Sequence, residues 1–165
     1  MKTLDYLGLD AQATKVTVKE LQQLLADLHV FYMNMRGYHW YIEGKKFFVL
    51  HEKFEEFYDE VTKNLDKVAE RLLAIGGQPY STLSEFVEHS IIEEKVGDKH
   101  LTQDEMVKAL VEDFNTIGKS IDEGILLTDE KNDFVTNDIL IDIREGIDLH
   151  LWMLNAYLGE EATTN

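Results

Sequence analysis

The sequence predicts an all-α fold. Four long segments repeat their apolar residues with the helical period. Recognisable start and stop signals bracket those segments, and no stretch alternates apolar and polar residues as a half-buried strand would. The first segment opens on the capping-box pattern Thr17 and Glu20, and its expected core face is Leu21, Leu24, Leu25, Leu28, Phe31, Tyr32 and Met35. The second runs from about Phe47 to Ile75 with a stripe at Leu50, Phe54, Phe57, Val61, Leu65, Val68 and Leu72, and Gly76, Gly77 and Pro79 stop it. Thr102 and Glu105 form a second capping box, followed by Met106, Leu110, Phe114, Ile117 and Ile121. The fourth segment starts near Asp133 and carries Val135, Ile139, Ile143, Ile147, Leu151, Leu154 and Leu158.

Between the second and third segments, residues 78–101 form a connection of roughly two dozen residues, long for neighbouring helices. It contains a short amphipathic piece, Ser84-Glu85-Phe86-Val87, read as an extra helix. Such a link suits a four-helix bundle in which one connection crosses the bundle's length, as in ferritin-like folds. At 165 residues the chain is read as one domain, 1–165, with short flexible termini at about 1–16 and 159–165.

Composition narrows the chemistry. There is no cysteine, so disulfides, thiolate metal sites and cysteine nucleophiles are excluded together. A bound metal must take oxygen and imidazole ligands, which favours iron, manganese or magnesium over structural zinc. No long apolar run marks a signal peptide or membrane span, and a cytoplasmic protein is expected. The net charge of −16, from 32 acidic and 16 basic residues, repels nucleic acid and attracts cations, although solubility alone accounts for such a surface.

The second segment bears more than a core stripe. His51, Glu55, Asp66 and Glu70 lie on one flank beside it, and His39 precedes His51 by twelve residues. Each taken singly is ordinary solvated surface or, for His39, a satisfied core histidine. Together they are a good ligand set for divalent iron, except that His51 and Glu70 stand roughly 28 Å apart along one helix. Residues 51 and 70 average 60.5, and so do 55 and 66. Two copies packed antiparallel about a twofold axis near residues 60 and 61 would therefore place His51 opposite the other copy's residue 70, and Glu55 opposite its residue 66. Each dimer would then hold two equivalent sites. A conventional intrachain di-iron centre is not supported, because no histidine has Glu three residues before it.

The stretches Met35-Arg36-Gly37-Tyr38-His39-Trp40-Tyr41, Phe47-Phe48-Val49-Leu50-His51-Glu52-Lys53-Phe54 and Asp66-Lys67-Val68-Ala69-Glu70-Arg71-Leu72 closely resemble Dps proteins (DNA-binding proteins from starved cells). Ile75-Gly76-Gly77-Gln78-Pro79 with Ser81-Thr82-Leu83 is similar to that family's loop and short helix, and the resemblance runs to Leu151-Trp152-Met153. It implies a homododecamer built from twofold dimers, with a ferroxidase centre across the twofold interface. The metal ligands it implies are His39, His51, Glu55, Asp66 and Glu70. Two iron positions are implied, the second weak. The family commonly has Asp where Glu55 stands, which moves that carboxylate by one methylene.

The resemblance further implies electron donors at Trp40 and Trp152, where plain packing is the competing reading, and acids lining threefold iron-admitting pores at Asp129, Asp133 and Asp138, where helix capping competes. Phe134 stands where many relatives carry another acid. The implied activity is oxidation of Fe²⁺, preferentially by hydrogen peroxide rather than oxygen, with storage of ferric mineral. Glu52, Glu56, Asp59 and Glu60 are candidates for its growth surface. The rival function is a nucleoid protein that binds and protects DNA. Residues 1–16 hold only Lys2 and Lys15 as basic side chains and the tail is Glu160-Glu161-Ala162-Thr163-Thr164-Asn165, so direct binding to DNA is disfavoured. A purely structural bundle is the other alternative.

Overall fold

In a computed structural model of the protein, residues 7–97 and 100–160 are described. They form five helices and no strand: α1 Ala11–Tyr41, α2 Phe47–Ala74, α3 Leu83–His89, α4 Gln103–Glu130 and α5 Phe134–Leu158. Short turns join α1 to α2 and α4 to α5, so each pair runs antiparallel, and α1 also packs along α4 while α5 closes against α2. No helix among the described residues is long and apolar enough to cross a membrane.

The predicted core stripes of α1, α2 and α4 are the ones that pack. Phe114 of α4 sits at their centre, with Phe31 edge-on at 4.6 Å and Phe57 edge-on at 5.7 Å between ring centroids. In α5 the buried face is Thr136, Leu140, Ile143, Ile147, His150 and Leu154, and Val135 is exposed. The expected stripe thus slips at the start of α5, because the polar Thr136 is drawn inward by a buried ion pair described below.

The start of α1 differs from expectation. Thr17 does not cap a helix; it is buried within one that begins at Ala11. Asp10 precedes it: its carboxylate accepts the Gln12 amide at 3.0 Å and its carbonyl accepts the Thr14 amide at 2.9 Å. Ala11 and Gln12 are strong helix formers, so the helix extends back past the Thr-x-x-Glu pattern. Residues 11–16 therefore belong to α1 and not to a flexible terminus. Residues 1–6 and 161–165, including Lys2, lie outside the described residues.

The other boundaries follow the sequence. α2 ends at Gly76 (φ +82°), with the Gly77 amide donating to Leu72 at 2.8 Å and the Gly76 amide to Leu73 at 3.0 Å, the Schellman pattern that needs a left-handed residue. Thr82 with Glu85 and Thr102 with Glu105 form full capping boxes for α3 and α4. Asp133 caps α5.

Residues 90–97 run as a strap along α1. The fully buried Asp27 accepts the Ile91 amide (2.7 Å) and the Ser90 hydroxyl (3.0 Å). Two turns on, Asn34 accepts the Lys95 amide (2.8 Å) and donates to the Glu93 carbonyl (2.9 Å), and Lys95 reaches the buried Asp113 of α4 at 2.7 Å. Burial pushes the carboxyls of Asp27 and Asp113 above their ordinary values. The strap meets α1 at Gly97, where a Cβ would stand 2.6 Å from the Tyr41 ring and 3.0 Å from the Gly37 carbonyl oxygen. This pins the end of α1 that carries His39.

Candidate metal centre

Two histidines twelve residues apart meet because the turn between α1 and α2 is short. His39 is in the last turn of α1 and His51 is in the second turn of α2. Gly44, at φ +106°, makes the reversal, and a Cβ there would press the Gln103 side chain at 3.1 Å. The imidazoles stack with centroids 3.7 Å apart and 20° between planes. His39 Nδ1 donates to the His51 carbonyl at 2.7 Å, and His51 Nδ1 donates to the His39 carbonyl at 2.9 Å. Each ring is thus held in the Nδ1–H tautomer by the other's backbone, leaving both Nε2 lone pairs for a metal.

Glu55 lies one helical turn beyond His51. Ligand-capable atoms of His39, His51 and Glu55 fall within 4.8 Å of one another, the one such group of three among the described residues. His39 is buried, His51 half-buried and Glu55 exposed, so the cluster opens from a dry floor towards the outer flank of α2. Phe47 stacks under His51 at 4.8 Å, and Tyr58 stands edge-on to His39 at 5.3 Å and 89°. Burial, and after it the neighbouring Glu55 carboxylate, push the Tyr58 hydroxyl above its ordinary value.

The remaining expected ligands lie apart from this cluster in the single chain. Asp66 and Glu70 are exposed further along α2 on the same flank. Asp66 lines an open groove of about 630 Å³, with Leu25, His29, Lys63, Tyr80 and Phe86 around it.

Trp40 follows His39 and is 55% exposed, with the Arg36 guanidinium 5.1 Å from its ring; Trp152 is exposed on α5. Of the three acids expected at a pore, Asp129 and Asp138 are exposed. Asp133 is a correction. It is 4% exposed, accepts Arg71 Nη2 at 2.7 Å and the Thr136 hydroxyl at 2.6 Å, and both its oxygens are used inside the protein. Arg71 is 9% exposed and its Nε donates to the Thr136 hydroxyl at 2.8 Å, so the three residues lock the end of α2 to the start of α5. A side chain so engaged holds helices together and has nothing left to offer a pore.

His150, which belongs to no motif of the sequence, is buried between the Phe57 and Phe114 rings at 4.6 and 5.5 Å. Its Nε2 donates to Glu60 at 3.0 Å, and that bond holds the Glu60 carboxyl below its ordinary value. The signal was present: His150 falls between Ile147 and Leu154 in the period of the buried face of α5.

The profile of the ferritin-like domain matches residues 18–163. A DNA protection during starvation protein of Listeria monocytogenes is 44% identical over 146 residues, spanning 88% of this chain and 94% of the relative. General stress protein 20U of Bacillus subtilis is 41% identical over 142 residues, 86% of this chain and 97% of its own length. The X-ray structure of Dps from L. monocytogenes superposes with a TM-score of 0.85 at 44% identity, covering 87% of this chain and 94% of that one. Dps from Vibrio cholerae, described as a member of a broad superfamily of ferritin-like diiron-carboxylate proteins, gives a TM-score of 0.87 at 35% identity, covering 91% and 93%. The chain therefore belongs to the ferritin-like family, in its Dps branch.

Proposed function

We propose that the protein oxidises Fe²⁺ at a centre shared by two copies, with hydrogen peroxide as preferred oxidant, and stores the ferric product inside a homododecamer. The observation that carries this reading is the His39–His51–Glu55 cluster, with its two imidazoles fixed through Nδ1 and their Nε2 atoms free. Iron is the substrate. The histidines supply nitrogen to the tighter position, and carboxylates offset the charge that rises on oxidation, since anionic oxygen ligands favour the ferric state. Peroxide takes one electron from each of two Fe²⁺ ions and, with two protons, leaves as two waters, so no hydroxyl radical is released.

Three ligands from one chain leave room for more, and the exposed flank of α2 offers them. Antiparallel pairing about residues 60 and 61 would bring the other copy's Asp66 and Glu70 to the cluster. The apolar residues of that flank support this register. Phe48 is 83% exposed and Leu73 59% exposed, and 48 and 73 also average 60.5, so each would cover the other at the two ends of the polar seam. The second iron position would rest mainly on Glu55, whose longer side chain sets its geometry.

Asp129 and Asp138 would draw Fe²⁺ into the shell, with the exposed Phe134 narrowing the pore, and Glu52, Glu56, Asp59 and Glu60 are the acids on which mineral would grow. Protection of DNA, which the relatives' names state of them, would come here from removing iron(II) and peroxide. A net charge of −16 per chain opposes direct contact. The test is anaerobic addition of Fe²⁺ followed by peroxide, with ferric absorbance as readout. His39→Ala with His51→Ala should lose the fast phase; oxidation as fast as in the wild type would exclude the centre.

A further inference from the structure

Beside the metal cluster lies an aromatic group that the reaction above does not use. Tyr58 touches His39 edge-on, with 5.3 Å between ring centroids, and Tyr32 touches Tyr58 edge-on at 5.9 Å. The Arg36 guanidinium sits over both phenols and over Trp40, at 5.2 Å from Tyr58, 5.5 Å from Tyr32 and 5.1 Å from Trp40. Its Nη1 donates to the Tyr32 hydroxyl at 2.6 Å, and its Nε is buried without a partner. Residues 32, 36, 39 and 40 share one face of α1, and 51, 55 and 58 share one flank of α2, so a single seam carries the metal ligands and the rings.

We propose that Tyr58, rather than Trp40, is the side chain that supplies the second electron when peroxide meets a centre holding a single Fe²⁺. This rests on the function proposed above. In that case iron gives one electron and peroxide must take another from its surroundings. Tyr58 gives an electron together with its hydroxyl proton. With one further proton from solvent, the O–O bond breaks and both oxygens leave as water, so Fe²⁺, one phenol, one peroxide and one proton become Fe³⁺, one neutral phenoxyl radical and two waters.

Arg36 makes the choice between the two donors. An indole that loses an electron alone becomes a cation, and a fixed guanidinium 5.1 Å from its ring repels that charge. A phenol that loses electron and proton together stays neutral and is not penalised in this way. Tyr58 is also the ring in contact with His39, whereas Trp40 is 55% exposed. Tyr32 is the next ring outward and can refill Tyr58.

The test uses the assembled protein with Fe²⁺ below one per centre, loaded anaerobically, mixed with hydrogen peroxide and freeze-quenched for electron paramagnetic resonance, with ferric absorbance read in parallel. The wild type should give a radical whose lines narrow when tyrosine is ring-deuterated and are unmoved by deuterated tryptophan, an assignment that needs no variant. Tyr58→Phe should lose the tyrosyl signal, Trp40→Phe should keep it, and Arg36→Met should move spin onto tryptophan. A signal that narrows with deuterated tryptophan, or persists in Tyr58→Phe, overturns the proposal. Ferric product with no protein radical also overturns this proposal, and leaves the centre standing. No ferric product in the wild type sinks both readings.

Discussion

If the centre is shared between copies, two inactive variants should rescue each other. One variant carries His39→Ala and His51→Ala and keeps Asp66 and Glu70; the other keeps the cluster and carries Asp66→Asn and Glu70→Gln. Alone, each lacks part of every site. When the two are unfolded, mixed in equal amounts and reassembled, half of the dimers pair unlike chains. In each mixed dimer one site has all five ligands and the other keeps only Glu55. About a quarter of the wild-type sites should therefore return, given random pairing across an isologous interface. Within one chain no such rescue is available, since the two halves of the ligand set stand 11 to 19 residues apart on a straight helix, roughly 16 to 28 Å at 1.5 Å per residue. The assay is the amplitude of the fast ferric absorbance after peroxide addition, normalised to assembled protein. A mixture no more active than its parents, with mixed dimers verified by mass, would refute the twofold arrangement and require ligands from elsewhere in the chain.

Other consequences are simpler to measure. Asp133→Ala leaves Arg71 charged and buried at 9% exposure, and should cost about 3–5 kcal/mol of stability in chemical denaturation at fixed protein concentration, whereas Asp129→Ala should stay within about 0.5 kcal/mol. Glu60 has a folded-state carboxyl below its ordinary value of 4.5, so its contribution to stability is complete above that pH and is lost as pH falls through the lowered value. The wild type's advantage over Glu60→Gln should accordingly disappear on acidification, and an advantage that grows instead would contradict the His150 bond as its source. Gly97→Ala must displace Tyr41 or the Gly37 backbone and should destabilise by about 1–3 kcal/mol, while Gly37→Ala meets only ordinary contact at 3.5 Å and should be nearly neutral. A gel shift without added divalent metal, at about 0.15 M salt, should show no retarded DNA.

The fold was legible because three of the four long stripes are uninterrupted. Leu50 through Leu72 and Met106 through Ile121 repeat apolar residues at helical spacing, with only Arg71 and Asp113 as buried charged side chains beside them, and the pattern admits only a helix. Where sequence and structure differ, a local signal meets a stronger neighbour. Thr17 and Glu20 have the spacing of a cap, but the chain was already helical from Ala11. Val135 suits a buried stripe, yet the Arg71–Asp133–Thr136 lock turns Thr136 inward instead.

The cluster itself was half legible. His39, His51 and Glu55 are brought together by one short turn, which a single chain can express. Asp66 and Glu70, if they complete the proposed centre, would do so only from a second copy, a role that no fold of one chain displays. His150 is not legible as a polar partner in sequence, because one histidine inside a run of isoleucine and leucine reads as packing and its Glu60 partner lies ninety residues away.

The crossed bonds between His39 and His51 also bear on how this protein can change. Residues 43–46 are exposed, and an exposed turn ordinarily tolerates insertions. Here each imidazole is fastened to the peptide on the far side of that turn, so the two rings and the loop between them close a small ring of fixed circumference. One added residue would open both fasteners at once and release both Nε2 atoms from their aim. The turn therefore behaves as a gauge that sets the spacing of the two imidazoles, and length changes over the descent of this protein should collect in the termini and in the link after α3 instead.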